Sequence, residues 1–447
     1  MRTVIHNATI VNERHKFTGS VVIEDELITQ VVKGQFTDIH PDDLVVDAKG
    51  KYLIPGVIDD HVHFRQPGLE RKGDIETESC AAAAGGVTSY MDMPNTHPET
   101  DSVKRLNEKY KMAETKSHVN YAFFFGAHKK NIKELSKLNP QQVCGVKVYM
   151  DDDSLGKKQD KQDRVLREIM EKSPVMVMVH CQDRNTIRQN LKKLKKTFPG
   201  QNDYPVRYHS RIYDVNAGYN AVLRAVNIAQ ETGARLHLAQ ISSNKELSLL
   251  ASRPLEEKRI TAEACIANLM FCTEDYDWLG TRIKTDPALK SFDDRAYLRA
   301  ALSLGLIDVV SSDHAPHLLE EKVGGALRAA SGIPCVQLSL VSMLELADKD
   351  ILTMGKVVEL MCHNPALLYK VERRGFIREG YYADLVLLNP ESYWKVREQH
   401  NFSKCGWTPM DEHTFKWKVE RTWVNGEIVY RDGEITEHVK GKALMFR

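Results

Sequence analysis

The sequence predicts an α/β protein: a (β/α)₈ barrel of the TIM type, with a small β-sandwich domain built from both chain ends. Three observations predict it. Eight short apolar segments, at 57–62, 87–92, 119–125, 145–150, 175–180, 235–240, 259–264 and 307–312, have the length and branched-residue content of buried strands. Helical stretches lie between them, including Ile75–Ala84, Arg164–Glu171, Tyr219–Thr232 and Arg295–Ser303. Strands alternating with helices argue for a parallel sheet, and eight such units fit a closed barrel. Both ends of the chain instead read as strands and tight turns.

In chain order, residues 1–54 supply the first part of the small domain, with strands at Ser20–Ile23 and Leu27–Val32 around Glu24-Asp25-Glu26. The barrel occupies 55–374, and Gly85-Gly86 stops its first helix, as glycine commonly does. Residues 375–447 return to strands at Asp384–Leu388, Lys418–Val424 and Glu427–Tyr430, and Val424-Asn425-Gly426-Glu427 is a hairpin signal. The Lys-rich stretch Asn190–Lys196 reads as a solvated helix face.

At 447 residues and a net charge of +1, the chain carries no field that favours nucleic acid or a membrane surface. No apolar run reaches the roughly 18 residues of a membrane span. Met1-Arg2-Thr3-Val4-Ile5 lacks a signal-peptide pattern, and the eight cysteines are scattered without CxxC pairs. A cytoplasmic protein with reduced thiols and a small-molecule substrate is expected.

Barrel chemistry sits at the C-terminal ends of the strands. Read in order, those ends carry His61 and His63, Asp92 and Asn95, Lys147, His180, Gln240, Glu263 and Asp313. Alternate residues of a strand face one way, so His61 and His63 can close on one metal ion; two histidines at this spacing also occur in surface or packing roles. His180 adds a third imidazole, and Asp313 can ligate a metal or exchange a proton. An ammonium at Lys147 would be repelled by a cation. It fits only as a neutral amine or as a carbamate (N6-carboxylysine) whose two oxygens bridge two metals. The alternative is a salt bridge from Lys147 to Asp151, Asp152 or Asp153. Arg65, two residues beyond His63, suits an anionic substrate.

Asp60-His61-Val62-His63-Phe64-Arg65-Gln66-Pro67-Gly68, Met91-Asp92-Met93-Pro94-Asn95-Thr96, Gly145-Val146-Lys147-Val148-Tyr149 and Ser312-Asp313-His314-Ala315-Pro316-His317 together resemble the dihydroorotases of the amidohydrolase superfamily. So do Met361-Cys362-His363-Asn364-Pro365-Ala366 and the segment Arg378–Val386, so that the resemblance spans nearly the whole chain. It implies reversible hydrolysis of dihydroorotate to carbamoyl-aspartate, in pyrimidine biosynthesis, by a metal-activated hydroxide. His61, His63 and Asp313 would hold one Zn²⁺. A carboxylated Lys147 would bridge to a second that His180 helps bind. Asp313 would move the proton, and Arg65, Asn95 and His317 would hold the substrate carboxylate. A homodimer is also implied.

Several positions depart from that pattern. Gln240 stands where the family has a metal-binding histidine, and an amide oxygen is a poor substitute at zinc. His237, three residues earlier, is expected on the opposite face of its strand. Ala267-Asn268 replaces two histidines, and Asp286 replaces an asparagine that touches substrate. Asp151-Asp152-Asp153 opens a loop that is Gly/Ser-rich in the family, and Gln66 and Gln182 replace acidic residues. The first metal set is thus intact and the second doubtful, so one or two Zn²⁺ per subunit are expected. Three readings follow: a dihydroorotase, a catalytically degenerate homologue acting as a binding or regulatory subunit (favoured by Gln240 and Asp286), or a hydrolase of an uncharged ring such as a hydantoin or dihydropyrimidine. The last leaves Arg65, Asn95 and His317 without a carboxylate to hold.

Overall fold

The computed structural model describes residues 2–447; Met1, where the first expected segment begins, lies outside the described residues. Eight parallel strands form the barrel: Val57–Val62, Val87–Asp92, Asn120–Phe123 continued by Phe125–Gly126, Val146–Tyr149, Val177–His180, Leu236–Ala239, Ile260–Cys265 and Val309–Ser311. Pairing follows chain order around the barrel. The ring closes where Val62 pairs with His314 and the His63 N–H donates to the His314 carbonyl at 2.8 Å. These strands are buried almost throughout, which is why they read as near-continuous apolar runs rather than alternating ones.

The helix Ile75–Ala84 has the expected bounds. Asp74 caps it by accepting the Thr77 N–H at 2.9 Å, and Thr77 Oγ1 accepts the Asp74 N–H at 3.3 Å. Gly85 ends it in close approach to Gln337 Cα, which a Cβ would meet at 2.7 Å. The helices Gln159–Lys172, Val215–Thr232 and Phe292–Ser303 begin before their apolar period does. The last two start at side-chain caps, Asp214 accepting the Ala217 N–H and Ser291 the Asp294 N–H, which fix the first turn ahead of the longer apolar run. Asn190–Lys196 lies within the helix Arg184–Thr197, with Leu194 buried and its lysines exposed.

Strands from both chain ends form one nine-stranded sheet. Tyr52–Pro55 lies at its centre, parallel to Arg2–Asn12 and antiparallel to Leu385–Asn389, and leads directly into the first barrel strand. The hairpin between Lys418–Val424 and Glu427–Arg431 turns at Asn425 (φ 52°) and Gly426 (φ 84°), both left-handed as this two-residue turn requires. All eight cysteines are free thiols. Among the described residues, no helix is long and apolar enough to cross a membrane.

Candidate metal centre

His61 and His63 leave the first strand with ring centroids 5.3 Å apart. His61 donates from Nδ1 to Glu263 Oε1 at 2.5 Å, and His63 from Nδ1 to Asn95 Oδ1 at 2.8 Å. Both acceptors are oxygens without a proton to give, so each ring keeps its lone pair on Nε2. The two Nε2 atoms lie 3.5 and 3.3 Å from Asp313 Oδ1. Ligand atoms about 2.1 Å from a tetrahedral ion stand about 3.4 Å apart, so this trio fits one divalent cation of the zinc class. Burial brings the His63 pKa down to about 4, so the ring is neutral near pH 7. Burial opposes ionisation of Asp313 too, but His61, His63 and Gln240 hold its carboxyl below the ordinary range.

Three non-glycine residues here have left-handed backbone: Arg65 (φ 69°), Gln240 (φ 57°) and Asp313 (φ 50°). Such strain clusters where side chains must be aimed against the local strand geometry.

Lys147 is buried, with Nζ donating to Met178 Sδ at 3.2 Å and standing 5.5 Å from the Tyr149 ring centroid. The alternative salt bridge is not formed. Among the described residues no carboxylate lies within ion-pair distance of it, and Asp153 pairs with Arg184 instead. Burial pushes the ammonium pKa of Lys147 down, toward the neutral amine that reacts with carbon dioxide.

Gln240 is built into the centre. Its Nε2 donates to Asp313 Oδ2 at 2.7 Å and to the Asp286 carbonyl at 3.1 Å, while its Oε1 accepts from His180 Nδ1 at 2.6 Å. His180 Nε2 faces Asp151 Oδ2 at 4.0 Å, and Asp286 is pushed up to about 7, chiefly by burial. Ala267 and Asn268 are buried in the short helix Ile266–Met270, and Asn268 Nδ2 has no hydrogen-bond partner.

His237 does not stand on the opposite face. It points into the same interior, with Nε2 3.5 Å from Glu263 Oε2. The strict two-residue alternation fails because the left-handed backbone at Gln240 turns that side chain out of strand register.

Arg65 and His317 come together: a guanidinium nitrogen donates to His317 Nε2 at 3.1 Å, and Arg65 Nε donates to the Pro316 carbonyl at 3.0 Å. Burial, with the cations of Arg65 and Lys72 adding to it, brings the His317 pKa down to about 3. Beside Asn95 and Lys147 opens a cavity of about 240 Å³, also lined by Tyr149, Asp151 and Asp152. Sequence reasoning placed Glu263 at a strand end but missed its role in holding His61. Its signal was a lone acid inside the apolar strand Ile260–Cys265.

Residues 52–429 match the amidohydrolase family. The chain is 31% identical over 442 residues to a dihydroorotase of Methanosarcina mazei, covering 96% of this chain and 94% of that one. It is 31% identical over 394 residues to an allantoinase of Bacillus velezensis, covering 87% and 86%. Among solved structures it is similar to the L-hydantoinase (dihydropyrimidinase) of Arthrobacter aurescens, with a TM-score of 0.89, 26% identity and 97% of both chains covered.

Proposed function

The chain belongs to the amidohydrolase family, and from that premise we propose that it is a metal-dependent hydrolase opening and closing the ring of dihydroorotate, with carbamoyl-aspartate as the other species. The carrying observation is the convergence of His61 Nε2, His63 Nε2 and an Asp313 oxygen, each ring fixed in the tautomer that leaves its lone pair inward. These residues would hold one Zn²⁺ at the rim, supported by carboxylated Lys147. When bound, the cation supplies Lewis acidity toward the ring amide carbonyl and makes water acidic enough to attack near neutral pH. The attack forms a C–O bond and breaks the ring C–N bond. Asp313 takes the proton that water loses and returns it to the departing nitrogen, its Oδ2 held in place by Gln240. Arg65, Asn95 and His317 would receive the substrate carboxylate, with Asn95 Oδ1 also keeping His63 in position. His180 and Gln240 form a weaker second set, because the amide has already committed both of its polar atoms. The free thiols suit a cytoplasmic enzyme, and a homodimer is the assembly we propose.

A second reading, an uncharged ring such as hydantoin or allantoin, is favoured by the likeness to the L-hydantoinase and the allantoinase. The deciding experiment follows ring opening and closure with Zn²⁺ supplied, on dihydroorotate, hydantoin and allantoin in parallel. Turnover of dihydroorotate well above the other two is expected. Turnover of an uncharged ring alone would establish the second reading, and no turnover of any would overturn both.

A further inference from the structure

Below the rim, Asp60, His237 and Glu263 are fully buried, with ligand atoms within 4.8 Å of one another. Both oxygens of Asp60, Oε2 of Glu263 and Nε2 of His237 lack hydrogen-bond partners. The remaining polar atoms are occupied. Glu263 Oε1 accepts from His61 Nδ1 at 2.5 Å and from the Gln240 N–H at 3.2 Å. Thr261 gives its hydroxyl proton to the Leu236 carbonyl at 3.3 Å, so its Oγ1 accepts from His237 Nδ1 at 2.8 Å. His237 therefore aims the lone pair of Nε2 at Asp60 Oδ2, 3.6 Å away, and at Glu263 Oε2, 3.5 Å away.

Those spacings are too long for hydrogen bonds. They match the edge of about 3.4 Å that ligand atoms span around a tetrahedral ion. Three lone-pair bearers pointed at one another repel unless a proton or a metal cation lies between them, and at 3.6 and 3.5 Å a proton on Asp60 or Glu263 would make no hydrogen bond of ordinary length to His237. Among the described residues, no lysine or arginine pairs with Asp60 or Glu263. The Tyr369 hydroxyl adjoins Asp60, but a single O–H can serve only one of the three orphaned carboxylate oxygens. Carboxylates left uncompensated in a core are strongly unfavourable.

We propose that Asp60, His237 and Glu263 form a second divalent-cation site in the barrel core, binding a zinc-class ion through one imidazole and two carboxylates. The site shares no ligand with the rim trio and takes no part in the reaction proposed for it. Its one link to the rim is Glu263, which would bridge the core ion to His61 and so act as a positioning residue.

The test is zinc content of the purified full chain, dialysed against zinc-free buffer, for the native protein, Asp60→Leu and His63→Ala, each checked for folding by circular dichroism. Asp60→Leu is expected to lose one zinc equivalent and keep the rim ion, and His63→Ala to lose the rim ion and keep the core one. Equal zinc content in folded Asp60→Leu and native protein overturns the proposal. Where Asp60→Leu does not fold, anomalous diffraction of native crystals at the zinc edge decides alone. A peak between the three side chains supports the site, and a map with no peak there overturns it. A native protein that holds the core ion but no rim ion, or that turns over none of the three rings, would count against the proposed function only.

Discussion

Gln240 donates a hydrogen bond to Asp313 and accepts one from His180, so a single amide links the intact half of the rim to the altered half. Gln240→His would restore a ligand for a second cation and release Asp313 Oδ2. The variant is expected to bind one more zinc equivalent at the rim, and turnover should rise if that site limits it. Unchanged zinc content would show that the left-handed backbone at 240 aims the new imidazole away. His209 sets an acid limit on stability. Burial, reinforced by Lys284, brings its pKa down to about 3 from the ordinary 6.5, and its Nε2–H donates to the Thr285 carbonyl at 2.8 Å. Between those two values the unfolded chain holds a proton that the folded one does not. The stability is therefore fully present above the ordinary histidine range and falls as pH drops, by up to about 1.4 kcal/mol per pH unit. Urea unfolding near neutral pH and again about one to two units lower should show a smaller loss for His209→Gln than for the native chain. Equal losses would place the His209 titration outside the folded core.

At the level of elements, the helix Val103–Lys116 shows how a surface-looking segment supports the rim. Its buried residues are Leu106, Lys109 and Ala113, so the lysine lies on the core face. Its ammonium stands 2.5 Å from Asp92 Oδ2, donates to the Met93 carbonyl at 3.0 Å and lies 4.8 Å from the Phe123 ring centroid. Asp92 Oδ1 in turn accepts the N–H of Phe64, the residue after His63, at 2.7 Å. Lys109→Met leaves Asp92 buried and unpaired and should destabilise the fold by about 3–5 kcal/mol, most of it recovered by adding Asp92→Asn. Chemical denaturation of the single and double variants checks this; a single variant as stable as the native chain would mean that Asp92 is paired by something else. The sequence does not show what Lys109 pairs with, because its partner Asp92 lies on another element. The barrel strands were legible for the opposite reason: burial on both faces writes itself into each segment locally. The rim trio was legible in part: strand alternation sets His61 beside His63 and barrel order sets the end of the eighth strand beside the first, while their joining with Asp313 as one ligand set came from the family resemblance. His237 was misplaced because one left-handed residue breaks the alternation, and the bridging role of Gln240 depends on contacts from the ends of two other strands and a loop.

Across the whole molecule, the two chain ends and the barrel share a polar joint. Asn425 gives its N–H to Asp384 Oδ1 at 2.8 Å and its side-chain amide to Asn120 Oδ1 at 2.9 Å, and Asn120 returns a bond to Asp384 Oδ2 at 3.1 Å. The Lys442 N–H donates to the same Asn120 oxygen at 3.0 Å, as the chain leaves the end sheet and runs along the third barrel strand. There the Tyr121 N–H donates to the Lys442 carbonyl at 3.0 Å and the Leu444 N–H to the Tyr121 carbonyl at 2.8 Å. Gly441 is required at the entry, because a Cβ would sit 1.9 Å from the Val119 carbonyl oxygen. Leu444 and Phe446 are 1% and 4% exposed, so the tail is part of the barrel's packing. Removing residues 441–447 should cost about 3–6 kcal/mol from those two side chains alone. The tail runs beside the start of its strand, whereas the rim groups stand at strand ends, so zinc content per folded chain should not change. Because the joint ties sheet to barrel, circular dichroism and tryptophan fluorescence should report one coincident unfolding transition, at lower denaturant in the truncated chain. Separate transitions in the native protein would show that the end sheet and barrel unfold independently, and an unshifted midpoint would show that the tail contributes nothing to holding them together.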